Sequence, residues 1–256
     1  FYGGSIAGCV LVAIWIGERR YQALGGEAGV VQRMAGWVIP GGIVGARLYH
    51  VLTDFDRFDG NLAAIPQVWK GGLGIWGGVI GGTLGALILL KKEGEDIPCM
   101  FHATAAAIPV GQAIGRLGNW FNQELFGRPS ELPWALEIEA SYRPDRYINF
   151  ATFHPTFLYE AVWNLCLAVF IAFIAPKIFT TLRTGYMWAV YVFGYTLGRL
   201  WIELLRSDDA TEIFGVRINV WTSLIIISIS CVTIIYQVRK DPKGHRNSSD
   251  VVPHLD

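Results

Sequence analysis

Apolar residues occur along this chain in seven long runs that are separated by shorter polar segments. Each run approaches the roughly 20 mostly apolar residues that an α-helix needs to cross a bilayer. The predicted membrane-spanning helices are Phe1–Gly17, Ala35–Leu52, Gly72–Leu90, Met100–Gly118, Phe157–Ala175, Gly185–Leu204 and Val220–Val238. The pattern predicts an all-α polytopic membrane bundle and argues against a soluble globular domain. The first run is short, and we expect the natural protein to begin before Phe1.

The composition agrees with a membrane protein. Of the 256 residues, 52% are apolar and only 16% are charged, against about 25% charged residues in ordinary soluble domains. The many aromatic residues fit side chains that lie at membrane–water interfaces. The formal net charge is zero, so total charge points to no partner, and we expect no nucleic-acid ligand.

Lysine and arginine residues orient the predicted helices. If the N-terminus lies outside, the inside segments hold more of them, most clearly at Lys91 and Lys92 and after Val238. This bias favours an outside N-terminus and a cytoplasmic C-terminus. The long segment 119–155 is then external, and its aromatic content predicts a small folded cap between the fourth and fifth helices. Residues 1–240 are predicted to form one transmembrane domain, followed by a flexible cytoplasmic tail, 241–256.

The third predicted helix is rich in glycine. Residues 71–85 have the sequence GGLGIWGGVIGGTLG, in which glycines recur every four residues in two rows. That spacing is typical of helices that approach closely in lipid. A phosphate-binding loop is a weak alternative, because no predicted strand precedes the glycines and no Lys-Ser/Thr pair follows them.

The four cysteines form no CxxC pair and no cluster with histidine at metal-ligand spacing. They are Cys9, Cys99, Cys166 and Cys231. Each lies within or beside an apolar run, so we predict that they are buried, reduced and act as small apolar residues.

Charged residues inside the predicted helices indicate a site. An arginine at mid-helix costs about 2.5–3.5 kcal/mol on insertion scales, so Arg47, Arg116 and Arg199 require carboxylate partners or an anionic ligand. Glu160 and Glu203 are the available acids, and Glu203 shares a helix face with Arg199. Converging guanidinium groups match phosphate oxygens, and the abundant phosphate of a bilayer is the lipid headgroup. The alternative is a structural role, in which buried ion pairs join the helices.

The segment Gly115–Ser130 has the sequence GRLGNWFNQELFGRPS. It resembles the signature of the bacterial prolipoprotein diacylglyceryl transferases, approximately G-R-x-G-N-[FW]-x-N-x-E-x-x-G. Other segments agree in the same order: Tyr2-Gly3, GARLYHV at 45–51, the glycine-rich third helix, HPTFLYE at 154–160 and GRLWIELLR at 198–206. The resemblance therefore covers nearly the whole chain.

The resemblance implies an activity at the bacterial plasma membrane. Enzymes of this family transfer the diacylglyceryl group of phosphatidylglycerol to the lipobox cysteine thiol of preprolipoproteins, with release of glycerol 1-phosphate. They need no cofactor. The implied partners are phosphatidylglycerol, the signal peptides of preprolipoproteins and membrane lipids, and the transmembrane domain is implied to be catalytic.

The catalytic residues follow from the resemblance together with the charges. Arg116 and Arg199 are predicted to stabilise the negative charge that develops on the leaving phosphate. Glu160 and Glu203 are predicted to hold these arginines and to help manage the proton.

Substrate-binding roles rest mainly on the resemblance. Asn119 and Glu124 would orient Arg116 or bind the headgroup glycerol, and Tyr2 would donate a hydrogen bond to a headgroup oxygen. Gly127 would permit a backbone turn at the site, or would be an ordinary loop glycine. Arg47 would either contact the substrate or act as a structural ion-pair partner.

The proton acceptor for the thiol is open at this point. Many family members have a His-Gly-Gly sequence in the third helix, but here Trp76 precedes Gly77 and Gly78, and tryptophan accepts no proton. His154 is the best remaining candidate by its ordinary pKa. Alternatively, nearby guanidinium groups favour the thiolate directly.

Two other functions use the same arginines. A transporter or channel for an anionic small molecule would move its substrate without covalent change. A lipid-binding scaffold would hold phospholipid without turnover.

Overall fold

The structure of the chain, a computed structural model, describes residues 2–58, 60–179, 185–207 and 211–240, excluding the side chains at positions 2, 3 and 5. The predicted role of the Tyr2 side chain and the predicted tail 241–256 lie outside the described residues. Within those ranges the protein is mostly helical, with two short two-stranded sheets. The all-α prediction is therefore correct in its main feature and misses the small sheets.

Helices occupy all seven predicted positions in the described part of the chain, and the fifth position holds two of them, α5 and α6. The helices are α1 (Tyr2–Ala23), α2 (Val30–Thr53), α3 (Ile75–Glu93), α4 (Ile97–Asn122), α5 (Thr156–Val169), α6 (Ala175–Ile178), α7 (Met187–Glu203) and α8 (Ile218–Lys240). A π-helical turn, Phe170–Ile174, joins α5 to α6. Pro176 follows this turn, and a proline distorts the helix before it because it lacks an N–H and crowds an earlier carbonyl.

Four segments of the described chain are long and apolar enough to cross a membrane. They are Ile75–Glu93, Ile97–Asn122, Thr156–Ile178 and Ile218–Lys240. Helices α1, α2 and α7 fall outside this set. Helix α7 has only 17 residues and includes Arg199 and Glu203, so the charges that mark a site also weaken the apolar signal of its helix.

Short strands and 3-10 helices lie between the long helices. Strand β1 (Leu136–Glu137) pairs antiparallel with β2 (Thr152–Phe153), and β3 (Glu212–Ile213) pairs antiparallel with β4 (Val216–Arg217). The 3-10 helices are Phe55–Phe58, Leu62–Ala64, Val68–Lys70, Ala140–Tyr142 and Asp145–Tyr147.

The segment between α4 and α5 has a small apolar core of its own. Phe126, Ile138 and Phe153 are buried together there, and the β1–β2 pair runs beside them. Leu136 and Tyr147 pack against this core, so aromatic and aliphatic side chains both contribute to it. The folded segment begins after Asn122, since α4 extends one turn beyond the predicted end of the fourth helix.

Helix α4 lies at the centre of the bundle, in contact with α1, α5 and α7. Its buried face is rich in alanine, including Ala103, Ala105, Ala106 and Ala107. Small side chains let neighbouring helices approach closely where lipid removes the hydrophobic drive for association. Asp96 caps the helix by accepting a hydrogen bond from the Cys99 N–H at 3.2 Å.

Glycines on both α2 and α3 join these two helices. A Cβ atom added at Gly81 would stand 3.0 Å from the Gly45 Cα, and one added at Gly41 would stand 2.7 Å from the Gly81 carbonyl oxygen. The predicted close packing of α3 is confirmed. The partner pair Gly41 and Gly45 has the same spacing of four and was not recognised from the sequence.

The prediction of four buried cysteines was wrong. All four are free and Cys99 is buried, but Cys166 is exposed and Cys9 and Cys231 are partly exposed. An apolar side chain on a membrane helix gains little from burial in protein, because the lipid tails around it are equally apolar.

We predict that Gly81→Ala destabilises the protein and that Gly36→Ala does not. The added methyl group at Gly81 meets backbone atoms of α2, whereas the one at Gly36, an exposed position of α2, meets no atom within 4 Å. Overpacking of this kind costs about 1–3 kcal/mol. Thermal unfolding in detergent measures the difference, and equal melting temperatures for the two variants would contradict the packing described above.

Candidate active site

Five charged side chains, from three helices and the strand β4, join in one chain of ion pairs. The Arg116 Nε lies 2.5 Å from the Glu160 Oε2, but its N–H is not directed at that oxygen, so the contact is an ion pair without an aligned hydrogen bond. The Arg199 Nη1 donates to the Glu160 Oε1, and the Arg199 Nη2 donates to the Glu203 Oε2 at 2.8 Å. The Arg217 Nε donates to the Glu203 Oε1 at 2.8 Å. We call this set, Arg116, Glu160, Arg199, Glu203 and Arg217, the arginine–glutamate network.

The course of the chain brings the network together at one end of the bundle. Its members lie in the last two turns of α4, the second turn of α5, the last turns of α7 and the residues that lead into α8. Helices that alternate in direction place the end of one beside the start of the next. Two of the predicted arginines, Arg116 and Arg199, therefore meet on one carboxylate.

Burial differs between the two signs of charge. The side chains of Glu160 and Glu203 are 5% and 1% exposed, whereas those of Arg116, Arg199 and Arg217 are 24%, 20% and 16% exposed. The side chains of the three arginines are thus more accessible than the two carboxylate side chains with which they pair. Buried carboxylates are tolerated in this position because each is paired with two arginines.

The network carries an excess of positive charge. With all five groups ionised, three guanidinium groups face two carboxylates, which leaves one positive charge. Such a cluster matches a singly charged anion better than it matches a neutral ligand. Within the described ranges, His, Cys, Asp and Glu side chains do not converge in a group of three or more that could hold a metal ion.

Arg47 lies in a different environment, where it anchors the segment between α2 and α3. It is buried, and its guanidinium donates to the carbonyl oxygens of Ala64, Ile65, Gly71 and Gly72 at 2.7–3.0 Å. The alternative of a structural ion pair does not match the hydrogen bonds described for Arg47, which all go to backbone carbonyls, and its contact with substrate stays a prediction. Backbone carbonyls of a tight segment satisfy the planar fork as well as a carboxylate does.

The signature residues Asn119 and Glu124 lie at the end of α4. Asn119 is buried, and its backbone carbonyl accepts a hydrogen bond from the Glu124 backbone N–H at 3.2 Å. The Glu124 Oε1 accepts from the Asn122 Nδ2 at 3.1 Å. The acid that pairs with Arg116 is Glu160, one of the two acids expected from the sequence to hold Arg116 and Arg199.

Gly127 is required by close packing and not by a turn, which corrects the sequence-based interpretation. It forms a β-bridge with Arg206, and its N–H donates to the His154 carbonyl at 2.8 Å. A Cβ atom there would stand 2.7 Å from the Leu205 carbonyl oxygen. The residues with left-handed backbone near the end of α4 are Gln123 and Leu125, with φ of 49° and 56°.

His154 belongs to a short hydrogen-bonded chain with two aromatic side chains. Its Nδ1 lies 3.1 Å from the Tyr159 hydroxyl, which also accepts from the Trp134 Nε1 at 2.9 Å. Burial, and secondly the positive charge of Arg128, lower the pKa of His154 below its ordinary value of 6.5. The imidazole is therefore neutral at neutral pH, which is the state that a proton acceptor needs.

Arg217 and Asn219 belong to the site and were missed from the sequence. The Asn219 Nδ2 donates to the Glu203 Oε1 at 3.0 Å, beside the contact from Arg217. Arg217 precedes the seventh apolar run, Val220–Val238, and so lies outside the predicted helices. The polar pair at the start of that run was the available signal.

Comparison with known proteins identifies relatives over most of the chain. A family model described as prolipoprotein diacylglyceryl transferase matches residues 1–236. A phosphatidylglycerol–prolipoprotein diacylglyceryl transferase of Streptomyces griseus subsp. griseus is 45% identical over 236 residues, which are 91% of this chain and 71% of that protein. Similar enzymes of Streptomyces coelicolor and Cutibacterium acnes are 44% and 42% identical, over 88% and 97% of this chain and 72% and 84% of their own lengths.

We predict that His154→Gln reduces the acid sensitivity of folding. Because the pKa of His154 is lower in the folded protein than its ordinary value of 6.5, the unfolded chain binds the proton more tightly. The stability contributed by neutral His154 is then complete above the ordinary pKa of 6.5. It is lost as the pH falls through the lowered pKa of the folded protein. When the pH is lowered from about 8 to about 5, the melting temperature in detergent should fall more for the natural chain than for the variant. Parallel curves would show that His154 titrates normally.

Proposed function

The chain belongs to the prolipoprotein diacylglyceryl transferase family, and we propose that it transfers the diacylglyceryl group of phosphatidylglycerol to the lipobox cysteine of preprolipoprotein signal peptides. In this reaction a bond forms between the thiol sulfur and the glyceryl carbon, and the bond from that carbon to the phosphate oxygen breaks. The products are a thioether on the peptide and glycerol 1-phosphate, and the thiol loses its proton.

The observation that carries this proposal is the shared carboxylate between two partly exposed arginines. Arg116 and Arg199 both pair with Glu160, so the positions of their guanidinium groups are linked. Two fixed guanidinium groups suit a phosphodiester before the reaction and the more negative phosphate that leaves. Donors that are already in place stabilise developing charge without a cost of reorganisation.

The carboxylates of the network are proposed to position the arginines and not to bind phosphate. Glu160 and Glu203 are more deeply buried than the arginines, so a phosphate that approaches the network meets positive charge first. The single excess positive charge balances the single negative charge of phosphatidylglycerol. This balance favours anionic over zwitterionic phospholipid as the diacylglyceryl donor.

For the thiol, we propose that the arginines lower the free energy of the thiolate and that His154 takes the proton. Cationic neighbours lower the pKa of a thiol from about 8.5, so a strong base is not required. Trp76 lies at the start of α3, where many family members have histidine, and it is exposed. His154, which is neutral, fits the role better than any group of α3.

The signature residues are proposed to bind the headgroup. Asn119 lies three residues after Arg116 in the last turn of α4, Glu124 lies just beyond the end of that helix, and Tyr2 begins α1. Gly127 holds the backbone of residues 154 and 205 close together, which keeps the start of α5 beside the end of α7. That contact supports the spacing of Glu160 and Arg199.

We propose a topology of seven membrane-spanning segments in one catalytic domain, residues 1–240. The N-terminus lies outside and the C-terminus lies in the cytoplasm of a bacterium, as the lysine and arginine distribution favours. The cap 119–155 and the network then face the outer side of the plasma membrane. A translocated signal peptide would present its cysteine there.

The direct test is turnover by purified protein supplied with phosphatidylglycerol vesicles and a lipobox peptide. Release of glycerol phosphate together with a gain of diacylglyceryl mass on the peptide is expected. Flux of an anionic solute across proteoliposomes without either product would favour the transporter alternative, for which the comparisons give no support.

We predict that Arg116→Ala and Arg199→Ala lower kcat by about 100- to 1,000-fold or more, the cost of removing one donor to a developing oxyanion. Arg19→Ala is the matched control, because Arg19 is an exposed residue of α1 that contacts Trp15. The melting temperature of each variant checks that folding is intact. Near-normal turnover of folded Arg116→Ala would overturn the site assignment.

The four cysteines of the chain are predicted to be dispensable. The attacking thiol comes from the peptide, so a variant in which Cys9, Cys99, Cys166 and Cys231 are all replaced by alanine should retain turnover within a few-fold. Its stability should fall mainly through Cys99, the buried member. Loss of lipidation in a folded variant of this kind would mean that a protein thiol participates.

A further inference from the structure

We propose that Arg217, assisted by Asn219, is a positioning residue that keeps the charge of Arg199 available to the lipid phosphate, an inference that rests on the proposed function. Arg217 lies outside the sequence segments that resemble the family signature. Its contact with Glu203 connects the start of α8 to the network.

Glu203 needs the donors that β4 and the start of α8 supply. It is the last residue of α7, where the partial negative charge of a helix C-terminus disfavours a carboxylate, and its side chain is only 1% exposed. The Glu203 Oε1 accepts from the Arg217 Nε at 2.8 Å and from the Asn219 Nδ2 at 3.0 Å. The Oε2 is left to the Arg199 Nη2.

This division of oxygens fixes the plane of the Arg199 guanidinium. Arg199 is held at Nη1 by Glu160 and at Nη2 by Glu203. Without the donors of Arg217 and Asn219, the second oxygen of Glu203 would be buried without a partner, which carries a large penalty for a charged group. The carboxylate would then turn both oxygens toward Arg199 in a bidentate pair and withdraw donors from the phosphate.

The positive charge of Arg217 also affects how strongly the network attracts the lipid phosphate. With Arg217 the network holds three guanidinium groups and two carboxylates, and without it the numbers are equal. Replacing Arg217 by glutamine removes one positive charge from beside Glu203, which weakens the attraction of the network for a negative phosphodiester. Loss of Arg217 should therefore weaken binding of phosphatidylglycerol even if the fold is unchanged.

A short hairpin sets the position of Arg217. Strands β3 and β4 pair Glu212 with Arg217, and both residues of the intervening turn, Phe214 and Gly215, have positive φ. The Ile218 N–H donates to the Thr211 carbonyl at 2.9 Å, which closes the hairpin onto the start of α8. The guanidinium thus enters the network from a constrained backbone.

The test compares Arg217→Gln, Arg217→Lys and Asn219→Ala with the natural chain in the lipidation assay. A hydrogen bond to a charged group corresponds to about ten- to hundredfold in an equilibrium. For Arg217→Gln we expect kcat/KM for phosphatidylglycerol to fall by about that factor, with KM for the lipid raised and KM for the lipobox peptide unchanged. Lysine at this position keeps the charge and one donor, so Arg217→Lys should recover most of the loss, and Asn219→Ala should show a smaller loss.

A purely structural role would give a different result, namely a lower active fraction with both KM values unchanged and equal losses for Arg217→Gln and Arg217→Lys. That outcome, or normal kinetics of Arg217→Gln, would overturn the proposal. Arg57→Gln is the matched control, because Arg57 is 73% exposed and stands 4.0 Å from Asp54. Its kinetics should equal those of the natural chain.

Binding separates this inference from the proposed function. If the natural chain shows no lipidation, the proposed function fails, and retention of phosphatidylglycerol relative to phosphatidylcholine by protein in mixed vesicles then tests Arg217 alone. Arg217→Gln should lose that preference by about ten- to hundredfold. An unchanged preference would refute the positioning role, whatever the fate of the catalytic proposal.

Discussion

Glu160 holds two arginines from two other helices at the end of an apolar bundle, and the organisation of the site depends on that contact. A guanidinium group placed alone among lipid tails is costly, and a buried carboxylate placed alone is costly as well. Paired across α4, α5 and α7, the three groups satisfy one another. The pairing also fixes the relative depth of these helices, because a shift of any one of them would break an ion pair in a medium that offers no replacement.

The pairing explains why the arginines remain able to bind a further anion. The two carboxylate side chains of the network are almost fully buried, whereas the side chains of the three arginines retain contact with accessible space. The charges are unequal in number, so the network remains cationic. A stack of ion pairs with equal charges would join the helices equally well but would attract phosphate less. The composition of the network therefore favours function over a purely structural role.

Other parts of the structure support this arrangement from a distance. Helices α2 and α3 meet through opposed glycines, and Arg47 secures the segment between them by donating only to carbonyl groups among the contacts described. Gly127 allows its own segment to pair with Arg206 just after α7 and to contact His154 just before α5. The β3–β4 hairpin delivers Arg217. Each feature uses a small residue or a backbone carbonyl where a larger side chain would hold the helices apart.

The sequence by itself determined the helical character, the positions of the apolar segments, the family and the residues Arg116, Arg199, Glu160 and Glu203. Helix length, hydropathy and the spacing of Arg199 from Glu203 are properties of neighbouring residues, so they can be derived from the printed chain. Only the tertiary structure decided which acid each arginine contacts, since Arg116 and Arg199 reach Glu160 through the depth and rotation of three separate helices. It also decided that Arg47 anchors a loop, that Gly127 is small because two backbones approach it, and that Arg217 joins the network. In each case the controlling atom comes from a distant part of the chain, and no local pattern specifies which distant group will stand within hydrogen-bonding distance.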